Sequence, residues 1–304
     1  MTSPAEESHE EVHRAYFSEV LESIRRLMGR QYGLKEVSIR PIGTGGSRLS
    51  IPVRITGTGR DGRKERFFGK ILGSSDLTVA ASIQFFKNIY LHMNAQDPIF
   101  EASRSAEDMA RDQFESLKAI HDLGIPTARP FGYHRLDSGL WLVVAEFLEA
   151  RPMAETGDVT AEQLSTVFRY LKKMHRNKVF HGDLKPENIM VGEKIYVLDV
   201  GRFRPGVNQA KKRAYDLVCL ICSLLESAPA EKVVAVARKF SSRKDLRAGA
   251  AYLDLVQRRP DINFTDETKE KLRRLMVGRR LLSGSSVLVH LLGLLPATPP
   301  DLQK

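Results

Sequence analysis

The sequence predicts an α+β fold of two lobes, an antiparallel-sheet lobe followed by a mainly helical one. Three observations point there. Apolar residues alternate strictly in the first half, at Ile51, Val53 and Ile55, which is the period of a half-buried strand. Helical apolar spacing governs the second half, at Leu164, Val167, Leu171 and Met174, and that spacing buries one face of a helix. The texture changes near residues 147–152, where a hinge fits. A chain of 304 residues suits two lobes sharing a cleft. Its 42% apolar and 28% charged residues exclude wholesale disorder and fibrous architecture. The expected division is a helical extension over 1–35, a first lobe over 36–147 with an insertion at 73–104, and a second lobe over 148–304.

Ser3-Pro4-Ala5-Glu6 has the form of a capped helix start. Val12, Tyr16, Val20, Ile24 and Met28 then repeat every fourth position, predicting an amphipathic helix that stops near Gly33. Runs around Val37 to Ile42, Ile51 to Ile55 and Arg66 to Leu72 read as three strands of a meander, with turns at 43–47 and 57–62. Two helices are expected at 78–94 and 105–123, the second capped by Ser105 and Asp108 and burying Met109, Leu117 and Ile120. Strands near 128–135 and 140–146 close this half. Thr160 and Gln163 fit a capping box for the next helix, and almost everything beyond Asp216 reads as helical. No internal repeat is seen, and the Pro-rich tail 296–304 reads as disordered.

Lys and Arg (47) exceed Asp and Glu (37), a formal charge of +10. Such a balance favours an anionic partner: nucleotide, phosphorylated substrate, nucleic acid or acidic lipid. Two cysteines cannot build a disulfide framework, and the polar, acidic start does not resemble a signal peptide, so a cytoplasmic protein is expected. The most apolar stretch, 281–295, is shorter than a bilayer span, so a packed core helix is favoured over peripheral membrane contact. Two motifs are set aside. His9-Glu10-Glu11-Val12-His13 matches a zinc-helix pattern, but no third ligand follows. Cys219-Leu220-Ile221-Cys222 lies among apolar neighbours and reads as core thiols.

The densest polar cluster is His181-Gly182-Asp183-Leu184-Lys185-Pro186-Glu187-Asn188, and Asp199 ends a strand eleven positions later. These residues supply a base, a cation and two oxygen ligands. Phosphoryl transfer from Mg-ATP needs that set: hard oxygens for the metal, positive charge for the phosphoryl group and a carboxylate for the accepting hydroxyl. Here the sequence resembles the protein-kinase-like superfamily, over roughly residues 36 to 225. His181 to Asn188 resembles its catalytic loop, and Asp199-Val200-Gly201 stands where its metal-binding Asp motif would be. Phe67-Phe68-Gly69-Lys70-Ile71 resembles the lysine strand, and Gly43-Thr44-Gly45-Gly46-Ser47 the phosphate-covering loop.

The resemblance implies a protein-kinase-like fold binding ATP and Mg2+. It implies Asp183 as catalytic base, Lys185 on the γ-phosphate, Asn188 and Asp199 on Mg2+, and Lys70 on the α/β-phosphates. Gly43, Gly45, Gly46 and Ser47 would cover the phosphates, and the backbone from Glu146 to Leu148 would meet adenine. Departures are equally legible. The helix acid that pairs with the lysine in this superfamily falls on Gln113, so either Glu115, or else Asp112, approaches from an adjacent turn, with Glu115 preferred, or Lys70 is positioned otherwise. Arg48 stands where a third loop glycine would be, and Gly182 replaces an arginine of the phosphorylation-switched enzymes. Asp216, resembling the helix Asp that braces the catalytic loop, follows Gly201 by only 15 positions. That shortness resembles RIO-type kinases, lipopolysaccharide kinases and aminoglycoside-type phosphotransferases. The intervening segment is basic, with Arg202, Arg204, Lys211, Lys212 and Arg213, which suits an acidic or phosphate-bearing substrate. The expected reaction is γ-phosphoryl transfer to a hydroxyl. Lys185 favours Ser or Thr of a protein; a small-molecule or glycolipid kinase and a non-catalytic ATP-binding scaffold are the alternatives.

Overall fold

The computed structural model describes residues 4–42, 50–73, 105–199, 203, 206–259 and 261–278, with side chains from residue 17 onward. The glycine loop 43–47, the insertion at 74–104 and the tail 281–304 lie outside them, as do the zinc-like histidines' side chains, Arg48, Arg202 and Arg204.

The first lobe is a five-stranded antiparallel sheet in the order β1-β2-β3-β5-β4, from β1 (Lys35–Pro41), β2 (Ile51–Thr58), β3 (Lys64–Leu72), β4 (Pro130–Arg135) and β5 (Trp141–Glu146). Helix α1 (Pro4–Tyr32) covers one face, packing Val20, Ile24 and Met28 on Val53, Ile55, Phe67, Ile71, Leu142 and Val144. It ends as its apolar spacing predicts: Gly33 takes φ 69°, and Leu34 N–H closes on Met28 O at 3.2 Å, a left-handed glycine stop. Helix α2 (Ala106–Asp122) lies on the opposite face, capped by Ser105, which accepts from Asp108 N–H at 3.0 Å.

Strand alternation decides which side chains reach the cleft. On β3, Phe67 and Ile71 join the α1 core, whereas Phe68 and Leu72 join clusters on the α2 side. Lys70, between the latter two, therefore shares the α2 side. Gly69 has a packing reason: a Cβ there would stand 2.8 Å from Val53 Cγ2 and 2.9 Å from Ile55 Cδ1.

The second lobe is helical around α4 (Gln209–Ser223), whose residues from Ala214 to Cys222 are all buried. Packed with it are α3 (Ala161–Arg176), α5 (Ala230–Phe240), α6 (Arg243–Ala250), α7 (Leu253–Gln257) and α8 (Asp266–Val277). The Thr160–Gln163 capping box forms as expected. Cys219 and Cys222 are buried thiols in this core, not joined in a disulfide. A small sheet of β6 (Arg151–Pro152), β7 (Ile189–Val191) and β8 (Ile195–Val197) sits at the junction of the lobes. This is a two-lobed α+β fold with an antiparallel-sheet first lobe and a mainly helical second one. Among the described residues no helix is long and apolar enough to cross a membrane.

Candidate functional site

The catalytic-loop sequence is held from below by one buried carboxylate. Asp216 on α4 is fully buried; its Oδ2 accepts from His181 N–H at 2.9 Å and its Oδ1 from Gly182 N–H at 2.6 Å. His175 Nε2 joins Oδ2 at 3.0 Å. Gly182 adopts φ 75°, a left-handed conformation that suits glycine and turns the chain toward Asp183.

His181 carries the second set of loop bonds. Its Nε2–H donates to Leu198 O at 2.9 Å, and its Nδ1 accepts from Asp183 N–H at 3.3 Å. An accepting Nδ1 has no proton, so the ring is neutral. Burial, outweighing the nearby carboxylates, holds its pKa below the ordinary 6.5. The unfolded chain therefore binds more protons than the native state as pH falls through about 6.5, and stability falls with it. Equilibrium unfolding of His181→Gln beside the natural protein checks this. The natural protein is expected to lose up to about 1.4 kcal/mol more per pH unit below that point; parallel curves would refute it.

Asp199 follows β8, tied down by Leu198 N–H donating to Asn188 O at 2.8 Å. Its φ is 50°, a left-handed conformation that Asp tolerates better than most residues. Lys70 Nζ meets its Oδ1 at 3.0 Å, joining the two lobes across the cleft. Gln113 Nε2 donates to the same oxygen. Desolvation opposes the Asp199 charge, but Lys70 outweighs it, aided by Gln113, and keeps the carboxyl below its usual range.

Asn188 bridges the two acids. Its Nδ2 donates to Asp183 O at 2.8 Å and Asp183 Oδ2 at 3.2 Å, and lies 3.5 Å from Asp199 O. Lys185 Nζ stands 3.7 Å from Asp183 Oδ2 and 2.5 Å from Asp261 Oδ2. Lys70, Asp199, Asn188, Asp183 and Lys185 thus form one unbroken chain of contacts. An Asp carboxylate and an amide oxygen beside lysine ammoniums fit a hard divalent cation carrying phosphates. Asn188 Oδ1 and Asp199 would hold such a cation.

One sequence expectation changes in the structure, and two residues that no motif marked join the site. Glu115 is exposed, and the acid that Lys70 meets is Asp199; Gln113 fills the inward helix position and donates to it. At the hinge, Glu146 N–H is engaged with Arg129 O at 2.9 Å, while Leu148 packs with Phe68, Ala145 and Leu198 at the cleft. Arg259 and Asp261, which no motif marked, reach the catalytic loop: Arg259 donates to Asp183 Oδ1 and to both Asp261 oxygens.

A cavity of about 690 Å³ opens beside the start of α4, with Lys178, Phe180, Asn208, Lys212 and Arg213 in its wall. Lys212 Nζ lies 5.6 Å and 5.7 Å from the ring centres of Phe180 and Phe203, and Arg213 is 3.7 Å from Asp245. Phe180, in this wall, precedes Asp183 by three positions, so the Cα atoms of these two residues lie within about 11 Å of each other.

Residues 101–248 match the model of the Lipopolysaccharide kinase (Kdo/WaaP) family. The chain is similar to the PknI kinase domain of Mycobacterium tuberculosis, at 13% identity and a TM-score of 0.37, covering 80% of this chain and 94% of that one. It is also similar to the Rio2 kinase of Chaetomium thermophilum, solved as an ADP/Mg2+-phosphoaspartate complex. There the identity is 14% and the TM-score 0.43, covering 83% of this chain and 73% of the other. No curated protein matches the chain.

Proposed function

We propose that the chain is a kinase-like phosphotransferase that transfers the γ-phosphoryl group of Mg-ATP to a hydroxyl of an anionic, lipopolysaccharide-type glycolipid, a reading supported by the family model matched over residues 101–248. The observation that carries the phosphotransfer reading is the convergence of Lys70, Asp199, Asn188 and Asp183 in one contact chain. Mg2+, held by Asn188 and Asp199, would neutralise the phosphates and orient the γ-phosphoryl group. Lys70 holds the α- and β-phosphates. Asp183 takes the proton of the accepting hydroxyl as its oxygen bonds to the γ-phosphorus and the bond to the β-phosphate oxygen breaks, releasing ADP. Lys185 steadies charge on the transferred group. Use of ATP suits a cytoplasmic site of action.

Two observations support the anionic glycolipid. One is the family matched over 101–248. The other is the cavity beside the start of α4, whose wall carries Lys178, Lys212 and Arg213 and suits phosphate or carboxylate groups on an acceptor. Protein Ser or Thr is the second reading, favoured by Lys185-Pro186-Glu187-Asn188.

Labelled ATP offered with purified lipopolysaccharide, with its dephosphorylated form and with a generic Ser/Thr-rich protein separates the two. The expected result is label on intact lipopolysaccharide, with Lys212→Glu raising its KM about tenfold through reversed charge and sparing the KM for ATP. Label on protein alone would overturn the glycolipid reading.

A further inference from the structure

We infer that Arg259 and Asp261 are positioning residues for phosphoryl transfer: Arg259 orients the Asp183 carboxylate and Asp261 holds Lys185 beside it. This rests on the phosphotransfer reading of Asp183 and adds a device that the loop sequence does not contain.

The geometry is specific. An aspartate carboxylate rotates readily about its last torsion, and the Asp183 side chain is 30% exposed, so the pocket alone does not choose which oxygen faces an acceptor. Arg259 removes that freedom. Its side chain is only 4% exposed. Nε meets Asp261 Oδ1 at 2.9 Å and Nη2 meets Asp261 Oδ2 at 2.6 Å, a paired planar contact. Nη1 reaches Tyr215 Oη and Cys219 Sγ on α4, each at 3.2 Å. With the guanidinium held on these sides, Nη2 donates to Asp183 Oδ1. The other oxygen, Oδ2, is left facing Asn188 and Lys185.

Asp261 acts on the second member of the pair. Its Oδ2 is 2.5 Å from Lys185 Nζ, which keeps that ammonium 3.7 Å from Asp183 Oδ2. Two cations and two carboxylates are thereby matched in one network. Burial opposes the Asp261 charge, but Arg259, then Lys185, outweigh it and keep the carboxyl well below its usual range. Asp261 therefore stays anionic, and neutralised by Arg259, when a phosphate draws Lys185 away. A residue that merely joined α4 to the following loop needs only the contacts to Asp261, Tyr215 and Cys219. The contact to Asp183 is the one that packing does not require.

Single-turnover hydrolysis of labelled Mg-ATP, with water as acceptor, tests the assignment in the full chain. Arg259→Lys keeps charge but loses the planar fork. It is expected to lower the rate about 30-fold while the Kd for Mg-ATP stays within about twofold. On an Asp183→Asn background the same change is expected to alter the residual rate less than about twofold, because a residue acting through Asp183 has nothing left to position. Asp261→Asn, which leaves Arg259 in place, is expected to lower the rate about tenfold and to show the same non-additivity with Lys185→Met. This second cycle decides the matter if Arg259→Lys does not fold, as read from its unfolding midpoint. Folded variants at the natural rate, or full losses repeated on the Asp183→Asn and Lys185→Met backgrounds, would overturn the positioning role. A natural protein no faster than Asp183→Asn would instead overturn the phosphotransfer reading itself.

Discussion

Asp183→Asn is expected to lower phosphoryl transfer by about 10³-fold, the usual worth of a positioned general base, with Mg-ATP affinity nearly unchanged. The reason lies in where the carboxylate stands. Asp183 is bonded by Asn188 and Arg259, and neighbours Lys185; Asp183 itself is assigned to neither a nucleotide phosphate nor the metal. Asparagine keeps the shape and one oxygen for Arg259 but cannot accept a proton. Rapid-quench measurement of the chemical step, beside equilibrium titration with Mg-ATP, separates chemistry from binding. Equal, poor transfer by both proteins with intact Mg-ATP binding would replace the enzyme reading by an ATP-binding scaffold.

Asp199→Asn is expected to weaken Mg-ATP binding about 100-fold, equivalent to about 2.7 kcal/mol, and to remove most of its dependence on Mg2+. Asparagine is the informative choice because Asp199 sits at φ 50°, and Asn tolerates that region; the change therefore removes charge without adding backbone strain. Without nucleotide, the Asp199 charge is shared with Lys70 at 3.0 Å and Gln113. With Mg-ATP bound, Asp199 would hold the metal and Lys70 a phosphate, so the lysine would exchange one anion for another and the cleft would remain neutralised. Titration with and without a chelator reads both effects. Identical affinities and identical metal dependence in the two proteins would refute the metal role of Asp199.

Much of the site was legible because its parts are local. The Lys185 and Asn188 spacing from Asp183, and Asp199 at a strand end, lie within 17 positions of chain, and short connections leave such residues few places to go. Asp216 was equally readable as the loop brace and makes that contact. Glu115 was misplaced through helical phase, although the signal was present. Ala110, Leu117 and Ile120 mark the buried stripe of α2, and Gln113 lies three positions after the first and four before the second. Glu115 is two positions round and faces outward. Chemistry argued for an acid; geometry chose the residue that points inward.

What the sequence determined by itself is the order and periodicity of the parts: two lobes, an alternating β3 that puts Lys70 on the α2 side, and a catalytic loop followed by a second aspartate. Only the tertiary structure decided which residues from far along the chain close around that loop. Arg259 and Asp261 stand 76 positions from Asp183 and Lys185 respectively, in a stretch that carries no motif. They are brought inward because α4 is buried all along its second half and α7 packs beside it. Apolar periodicity records that a helix is buried, but not which distant polar group its burial carries to Asp183.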